Sequence, residues 1–304
     1  MTESYVPEIF KFTGAGNDFV VLDGRKGGME AFRHPHRIGE LCREYRTDGL
    51  MILGNADGYD FSMEFYNPDG TGGMMCGNGG RCIVAFASYL GLKPAAADGT
   101  WHFLAPDGPH EAVILEGIPS GGTPFASLSP AHPTADAAGP SPYTCPGVDK
   151  SPGGYSLQKW TVRLKMIDVQ GVTPMKDGYF LNTGTRHFVK FIKGLDTADM
   201  EADAKPLRWD KAFQPEGTNV NLVEVRPDGL HVRTYEKGVE GETLACGTGL
   251  TASALAAHYA HIPGLGNSYR LQCRRGDWLQ VEFTPQDTAF TDVYLTGPAE
   301  LINI

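Results

Sequence analysis

MCGNGGRCIVAFASY at residues 75–89 and ACGTGLTASALAAHY at residues 245–259 begin with nearly the same words. Each sets a cysteine in a Cys-Gly-x-Gly turn, followed by small and apolar residues that predict a buried helix. A Gly-rich turn entering a helix N-terminus is a ready anion site, and a cysteine placed there shifts toward thiolate. Gly77, Gly79, Gly247 and Gly249 are expected to let the backbone bend so that N–H groups converge. Two such units in one chain predict a single active site built from two halves.

Outward from the first turn, the helix is expected to close at Gly91, with Pro94 as a stop signal. EIFKFTGAGNDFVVLDG and YDFSMEFYNPDG predict strands ended by Gly, Asn and Asp turns. HPHRIGELCREY places Ile38, Leu41, Cys42 and Tyr45 at helical spacing, and WHFLAPDGPHEAVILEG predicts a hairpin turning at Pro106-Asp107-Gly108. Upstream of the second turn the pattern restarts. A strand TVRLKMIDV, a hairpin DGYFLNTGTRHFVKFI, a helical LDTADMEADAKPLR and a hairpin NVNLVEVRPDGLHVRTYEKG lead into it, and strands DWLQVEF and DVYLTGPAELINI follow. The recurring order predicts an α/β duplication with divergent sequence.

The expected division is an N-terminal half over residues 1–117 and a C-terminal half over 161–289. Between them residues 118–160 are dense in Pro, Gly, Ser and Ala and are expected to form a linker or surface insertion, since such a stretch cannot bury enough apolar surface to offset its ordering entropy. At 304 residues the chain exceeds the usual size of a single core. A net charge of −10 with no block of Lys or Arg argues against nucleic acid as a partner. No basic segment leads into an apolar one at the start, and no apolar stretch reaches membrane-spanning length, so a cytoplasmic protein without a membrane partner is expected. Six cysteines are too sparse for a disulfide scaffold, and no Cys-x-x-Cys or Cys/His quartet completes a zinc site.

The chemistry that suits two matched thiols is inversion at an amino acid's α-carbon. One acid/base group removes the proton from one face, and the other returns a proton to the opposite face. One cysteine must start as thiolate and its partner as thiol. A carboxylate held between two positive helix ends also favours the negative charge that builds up on deprotonation.

The sequence resembles the diaminopimelate epimerases, cofactor-independent enzymes of lysine and peptidoglycan precursor synthesis. The resemblance rests on GAGNDF (14–19), NPDG followed by MCGNGGRC (67–82), EGTNVN (216–221) and YEKGVEGETLACGTG (235–249), in the family's order. It implies two pseudo-symmetric domains, each a curved mixed or antiparallel sheet around a central helix, with the C-terminal strand 290–304 joining the N-terminal half and the site in the cleft between the two. By position it makes Cys76 and Cys246 the proton-transfer pair. Gly77, Asn78, Gly247 and Thr248 become the groups that hold the reacting carboxylate, and Asn17, Asn67 and Asn219 further substrate contacts. His187 and Glu236 become the groups that tune the cysteines, Glu236 also meeting a substrate ammonium. The implied substrate is a small amino acid and the implied cofactor none; a homodimer is compatible with this reading.

The sequence departs from the family pattern around the far end of the substrate. Thr185-Arg186-His187 stands where Asn-Pro-His is common, Lys237 where an arginine is usual, Thr71 and Gly72 at positions otherwise acidic or serine, and Gly49 where some members carry glutamine. Arginine grips a carboxylate with a planar fork and lysine cannot, so recognition by Thr185 and Lys237 is expected to differ. Two alternatives follow: a racemase of the same fold acting on a basic amino acid or proline, and a non-catalytic amino-acid-binding protein that kept the cleft.

Overall fold

The computed structural model describes residues 7–117 and 158–302. Of the Pro/Gly-rich stretch, residues 118–157 lie outside the described residues. Sixteen strands and five α-helices are found among those described. The first eight strands in space are β1 (Ile9–Gly14), β2 (Asn17–Asp23), β3 (Gly49–Gly54), β4 (Phe61–Tyr66), β5 (Thr100–Ala105), β6 (Gly108–Gly117), β7 (Gln158–Lys165) and, from the far end of the chain, β16 (Ala289–Ile302). They pair in that order, and β16 returns to β1, so the sheet closes into a barrel. Closure removes the edges an open sheet would expose. Strand β7 crosses the division expected at residue 161 and pairs with both β6 and β16, within the barrel.

The N-terminal stretch of the shared strand β16 pairs instead with β15 (Trp278–Gln286) and continues into a second sheet. It runs through β15, β14 (Ser268–Gln272), β12 (Gly229–Glu236), β11 (Asn219–Arg226), β10 (Arg186–Phe191) and β9 (Gly178–Asn182) to β8 (Thr173–Met175), with β13 (Gly241–Thr243) off β12. The duplication is visible in the pairing signs. From β1 the half reads antiparallel, parallel, antiparallel, helix, parallel, antiparallel, antiparallel. From β9 the same order recurs. Even a register shift recurs in the last pair of each, at Ile114/Glu116 and Glu282/Thr284.

Each half wraps one helix: α2 (Gly77–Tyr89) and α5 (Gly247–Tyr259). A helix with sheet on every side needs an apolar surface all round rather than a stripe, which is what their small and apolar residues supply. Cys82 through Ala87 are fully buried, as are Ala254 through Ala257. Both helices stop in the same way. Gly91 and His261 adopt left-handed backbone with N–H bonds to Ser88 and His258, while Leu92 and Ile262 bond the carbonyls of Ala87 and Ala257. The outer sheet faces carry the remaining helices. Helix α1 (Pro35–Tyr45) covers Val20, Leu22, Leu50 and Ile52 on the first half. On the second, the helical stretch expected from LDTADMEADAKPLR is broken into a 3-10 turn, α3 (Met200–Asp203) and α4 (Lys205–Arg208), because Pro206 in the first turn of α4 has no N–H to continue a helix across Ala204.

Candidate active site

The two cysteines occupy equivalent places, each the residue that caps the N-terminus of its half's central helix. The helices meet at those ends. A Cβ built on Gly247 would lie 3.4 Å from the Cα of Gly77, and one built on Gly77 would lie 3.7 Å from the Cα of Gly247. The glycines' reason therefore differs from the expected one. Gly77, Gly79, Gly247 and Gly249 all lie within helix and none has a positive φ. They are small because something stands against them: the facing helix for Gly77 and Gly247, the Cys76 sulfur at 3.2 Å for Gly79, and the Asn221 Oδ1 at 2.4 Å for Gly249.

Around Cys76 the polar atoms belong mostly to the first half. The Gly79 N–H donates to Cys76 Sγ at 3.2 Å. Asn78, buried beside it, donates to the Asn17 side-chain oxygen and, at 3.4 Å, to the Ala245 carbonyl just before the second cysteine. Asn17 also donates to Asp48 at 3.4 Å. Arg81, fully buried one turn along α2, was not among the residues singled out in the sequence. Its guanidinium donates to the carbonyls of Gly77 at 3.0 Å and Pro298 at 3.2 Å and to Asn78 Oδ1 at 2.9 Å, tying α2 to the shared strand β16.

Around Cys246 the second half supplies a chain of hydroxyl, imidazole and amide groups. Cys246 Sγ lies 3.4 Å from Thr248 Oγ1, which lies 3.0 Å from His187 Nε2 and 3.1 Å from Thr185 Oγ1. Thr185 Oγ1 is also 2.9 Å from His187 Nε2. Asn219 donates to Thr185 Oγ1 at 3.3 Å and to the Arg186 carbonyl at 3.0 Å, and its oxygen accepts the Lys237 N–H at 2.8 Å. The Lys237 side chain is exposed. Arg186 is engaged by Glu216 at 2.6 Å. Asn67 is held apart from this group by its own turn, where its amide donates to Thr71 Oγ1 at 3.0 Å. His187 bonds neither cysteine; among the described residues its partners are Thr185, Thr248 and Asn221.

Burial dominates the electrostatics. It pushes both thiols above the ordinary cysteine range; at Cys76 the Gly79 N–H partly opposes this, and the Glu236 carboxylate adds to the rise at both sulfurs. Helix position alone suggests a shift toward thiolate, and desolvation acts against it at both sulfurs. Burial also raises the Glu236 carboxyl, helped by the charge of Asp48. His187 is pushed down to about 3, again by burial, and so is a neutral imidazole at ordinary pH. Among the described residues no cluster of three or more His, Cys, Asp or Glu side chains is arranged to hold a metal ion, and no helix is long and apolar enough to cross a membrane.

Comparison with known proteins places this arrangement. A diaminopimelate epimerase from Flavobacterium psychrophilum is 32% identical over 97% of this chain and 98% of its own length. The chain belongs to the diaminopimelate epimerase family. A second family member, from Aquifex aeolicus, is 32% identical over 95% of this chain and 94% of its own. The family profile described as Diaminopimelate epimerase matches residues 179–302, the second half and the shared strand. Membership makes the protein an isomerase of the epimerase type. Solved structures share the fold at low identity. A PhzF-family phenazine biosynthesis protein from Bacillus anthracis has a TM-score of 0.64 at 11% identity, covering 97% of this chain and 96% of that one. A hydroxyproline epimerase from Agrobacterium vitis has a TM-score of 0.57 at 12% identity, covering 98% and 91%.

Two groups at the site escaped the sequence reading besides Arg81. Asn221 and Thr234 are fully or nearly fully buried and bond one another at 2.9 Å behind His187. A signal existed for Asn221: in NVNLV the two asparagines alternate with Val220 and Leu222, so both face the side of β11 that carries α5.

Proposed function

We propose that this protein interconverts LL- and meso-2,6-diaminopimelate by moving protons at one α-carbon between the thiols of Cys76 and Cys246, in the synthesis of lysine and peptidoglycan precursors. The observation that carries the reading is the end-to-end approach of two cysteine-capped helices at Gly77 and Gly247. An α-carboxylate seated there meets the first-turn N–H groups of Gly77, Asn78, Gly247 and Thr248, at the positive ends of both helices. The substrate's α-carbon then lies between the two sulfurs.

The charges suggest how the thiolate arises. Burial and the Glu236 carboxylate both favour the protonated form of the two cysteines. A substrate ammonium beside Glu236 cancels that negative charge, and the N–H groups around the carboxylate stabilise the anion formed next. As the ammonium docks, one thiol releases its proton to solvent; the resulting thiolate takes the α-hydrogen while the other thiol gives its proton to the opposite face, leaving the protonation pattern reversed for the return reaction. Racemisation of another amino acid by the same steps is favoured as a second reading by Thr185, the Arg186–Glu216 pair and the exposed Lys237 at the distal end. Loss of optical rotation across an amino-acid panel distinguishes the two.

Replacing Cys76 or Cys246 with alanine removes one proton carrier and is expected to lower turnover on LL-diaminopimelate by about 10²–10⁴-fold or more. Full activity in either variant sinks the proposal.

A further inference from the structure

Behind Cys246 lies a buried polar chain whose direction is fixed by chemistry rather than by choice of rotamer. Asn221, fully buried on β11, presents its amide nitrogen to His187 Nδ1 at 3.0 Å and to the Phe188 carbonyl at 3.4 Å, while its oxygen accepts the Thr234 hydroxyl at 2.9 Å. A carbonyl can only accept, so the amide nitrogen must face Phe188 and His187. Nδ1 therefore accepts and bears no proton, and a neutral imidazole carries its proton on Nε2.

That Nε2–H faces two hydroxyls, Thr185 Oγ1 at 2.9 Å and Thr248 Oγ1 at 3.0 Å. Thr185 receives a second donor, the Asn219 amide at 3.3 Å, which turns its own proton toward Thr248 at 3.1 Å. Thr248 Oγ1 thus accepts from Thr185 and shares the one His187 Nε2–H with it, and its hydroxyl proton is left to point at Cys246 Sγ, 3.4 Å away. Thr183 steadies the end of the chain by donating to the Thr248 carbonyl at 2.9 Å.

We propose that Asn221 is a positioning residue for the epimerase reaction: by holding His187 in the Nε2–H form it orders the Thr185 and Thr248 hydroxyls so that Thr248 donates to the Cys246 thiolate. This rests on the proposed role of Cys246 as a proton carrier. The chain makes His187 a neutral donor and not an acid or base, and burial that disfavours its cation agrees. The titratable groups that bear on Cys246 are Glu236 from β12 and Cys76 from the head of α2, both of which oppose a thiolate there. A neutral donor chain offsets them without adding a charge that would also hold the substrate ammonium away. At Cys76 the Gly79 N–H donates to the sulfur, and the Gly249 N–H acts in the same sense at Cys246, where the Thr248 hydroxyl is an additional donor.

The test uses the full chain. Two-bond proton–nitrogen spectra of protein labelled with ¹⁵N-histidine should show His187 protonated at Nε2 and bare at Nδ1 at about neutral pH. In a Cys76→Ala background, iodoacetamide alkylation of Cys246 followed by mass spectrometry should slow about tenfold in Asn221→Leu and in Thr248→Val, the loss of one hydrogen bond to a charged group, and recover in Thr248→Ser. If Asn221→Leu does not fold, the Thr248 pair and the wild-type tautomer decide. A His187 protonated at Nδ1, or equal alkylation of the Thr248→Val and Thr248→Ser variants, overturns the proposal. Epimerisation surviving in Cys246→Ala while these readouts hold would instead overturn the proposed function and leave the wiring intact.

Discussion

Adding one methyl group at Gly249 tests whether close approach is why the second turn is glycine-rich. Gly249 lies in the first turn of α5 with ordinary helical backbone, so alanine costs nothing conformationally and gains about 1 kcal/mol in helix propensity. Against this, the new Cβ would stand 2.4 Å from Asn221 Oδ1, 3.2 Å from Thr234 Oγ1 and 3.3 Å from the Cβ of Cys246. Asn221 cannot swing aside, because it is fully buried and bonded to His187, Phe188 and Thr234. Forcing a methyl into such a place costs about 1–3 kcal/mol, and breaking the Asn221–Thr234 bond about 1 more. The net expectation for Gly249→Ala is a destabilisation of about 1–3 kcal/mol, or a melting temperature lower by roughly 2–4 °C per kcal/mol. Epimerisation should fall more than stability does, since the displaced Asn221 disorders the chain behind Cys246. Gly171→Ala is the control: its built Cβ would meet only the Thr288 carbonyl oxygen at an ordinary 3.6 Å and the Thr288 hydroxyl at 3.8 Å, and its φ is not positive. Thermal melts of the two variants beside the parent, with turnover measured below the transition, check both parts. A Gly249→Ala protein that melts at or above the parent and keeps full activity refutes the reasoning.

Two further outcomes follow from buried groups. His187 has its folded-state pKa lowered to about 3, so between that value and the free value of about 6.5 the unfolded chain binds the extra proton; stability contributed by the neutral imidazole is complete above about 6.5 and declines as pH falls, by about 2 kcal/mol at about pH 5. Urea midpoints at neutral and acid pH should show this loss in the parent and a smaller one in His187→Gln; equal acid sensitivity contradicts it. Arg81→Met leaves the carbonyls of Gly77 and Pro298 and the Asn78 oxygen without their donor, and at roughly 1 kcal/mol or more each should destabilise by about 3 kcal/mol, visible as a lower melting temperature. A melt unchanged from the parent would mean these contacts contribute nothing.

Much of the fold was legible because its elements carry local signals. The two helices read from their small, apolar sequences, and the β5–β6 and β11–β12 hairpins read from Asp-Gly turns between alternating strands. Strand β3 was not legible: GLMILG is apolar throughout, buried on both faces, and so shows no period. The return of the C-terminal strand 290–304 to the first half came from the family resemblance, and its pairing with β1, which closes the barrel across nearly the whole chain, has no local signal. At the site, the repeated motif gave both cysteines and their helix ends. What it concealed was burial. Arg81 reads as an ordinary surface cation and is completely enclosed, while the sulfurs, expected to gain from the helix ends, are governed by desolvation instead.

The central claim is that two thiols on opposite faces handle the proton, and its most direct test is the fate of the α-hydrogen in heavy water. With LL-diaminopimelate and the wild-type protein, the account predicts that meso product formed early carries deuterium at the inverted carbon, delivered by a solvent-exchanged thiol, while unreacted substrate keeps its protium. Product that retains the original hydrogen would contradict it.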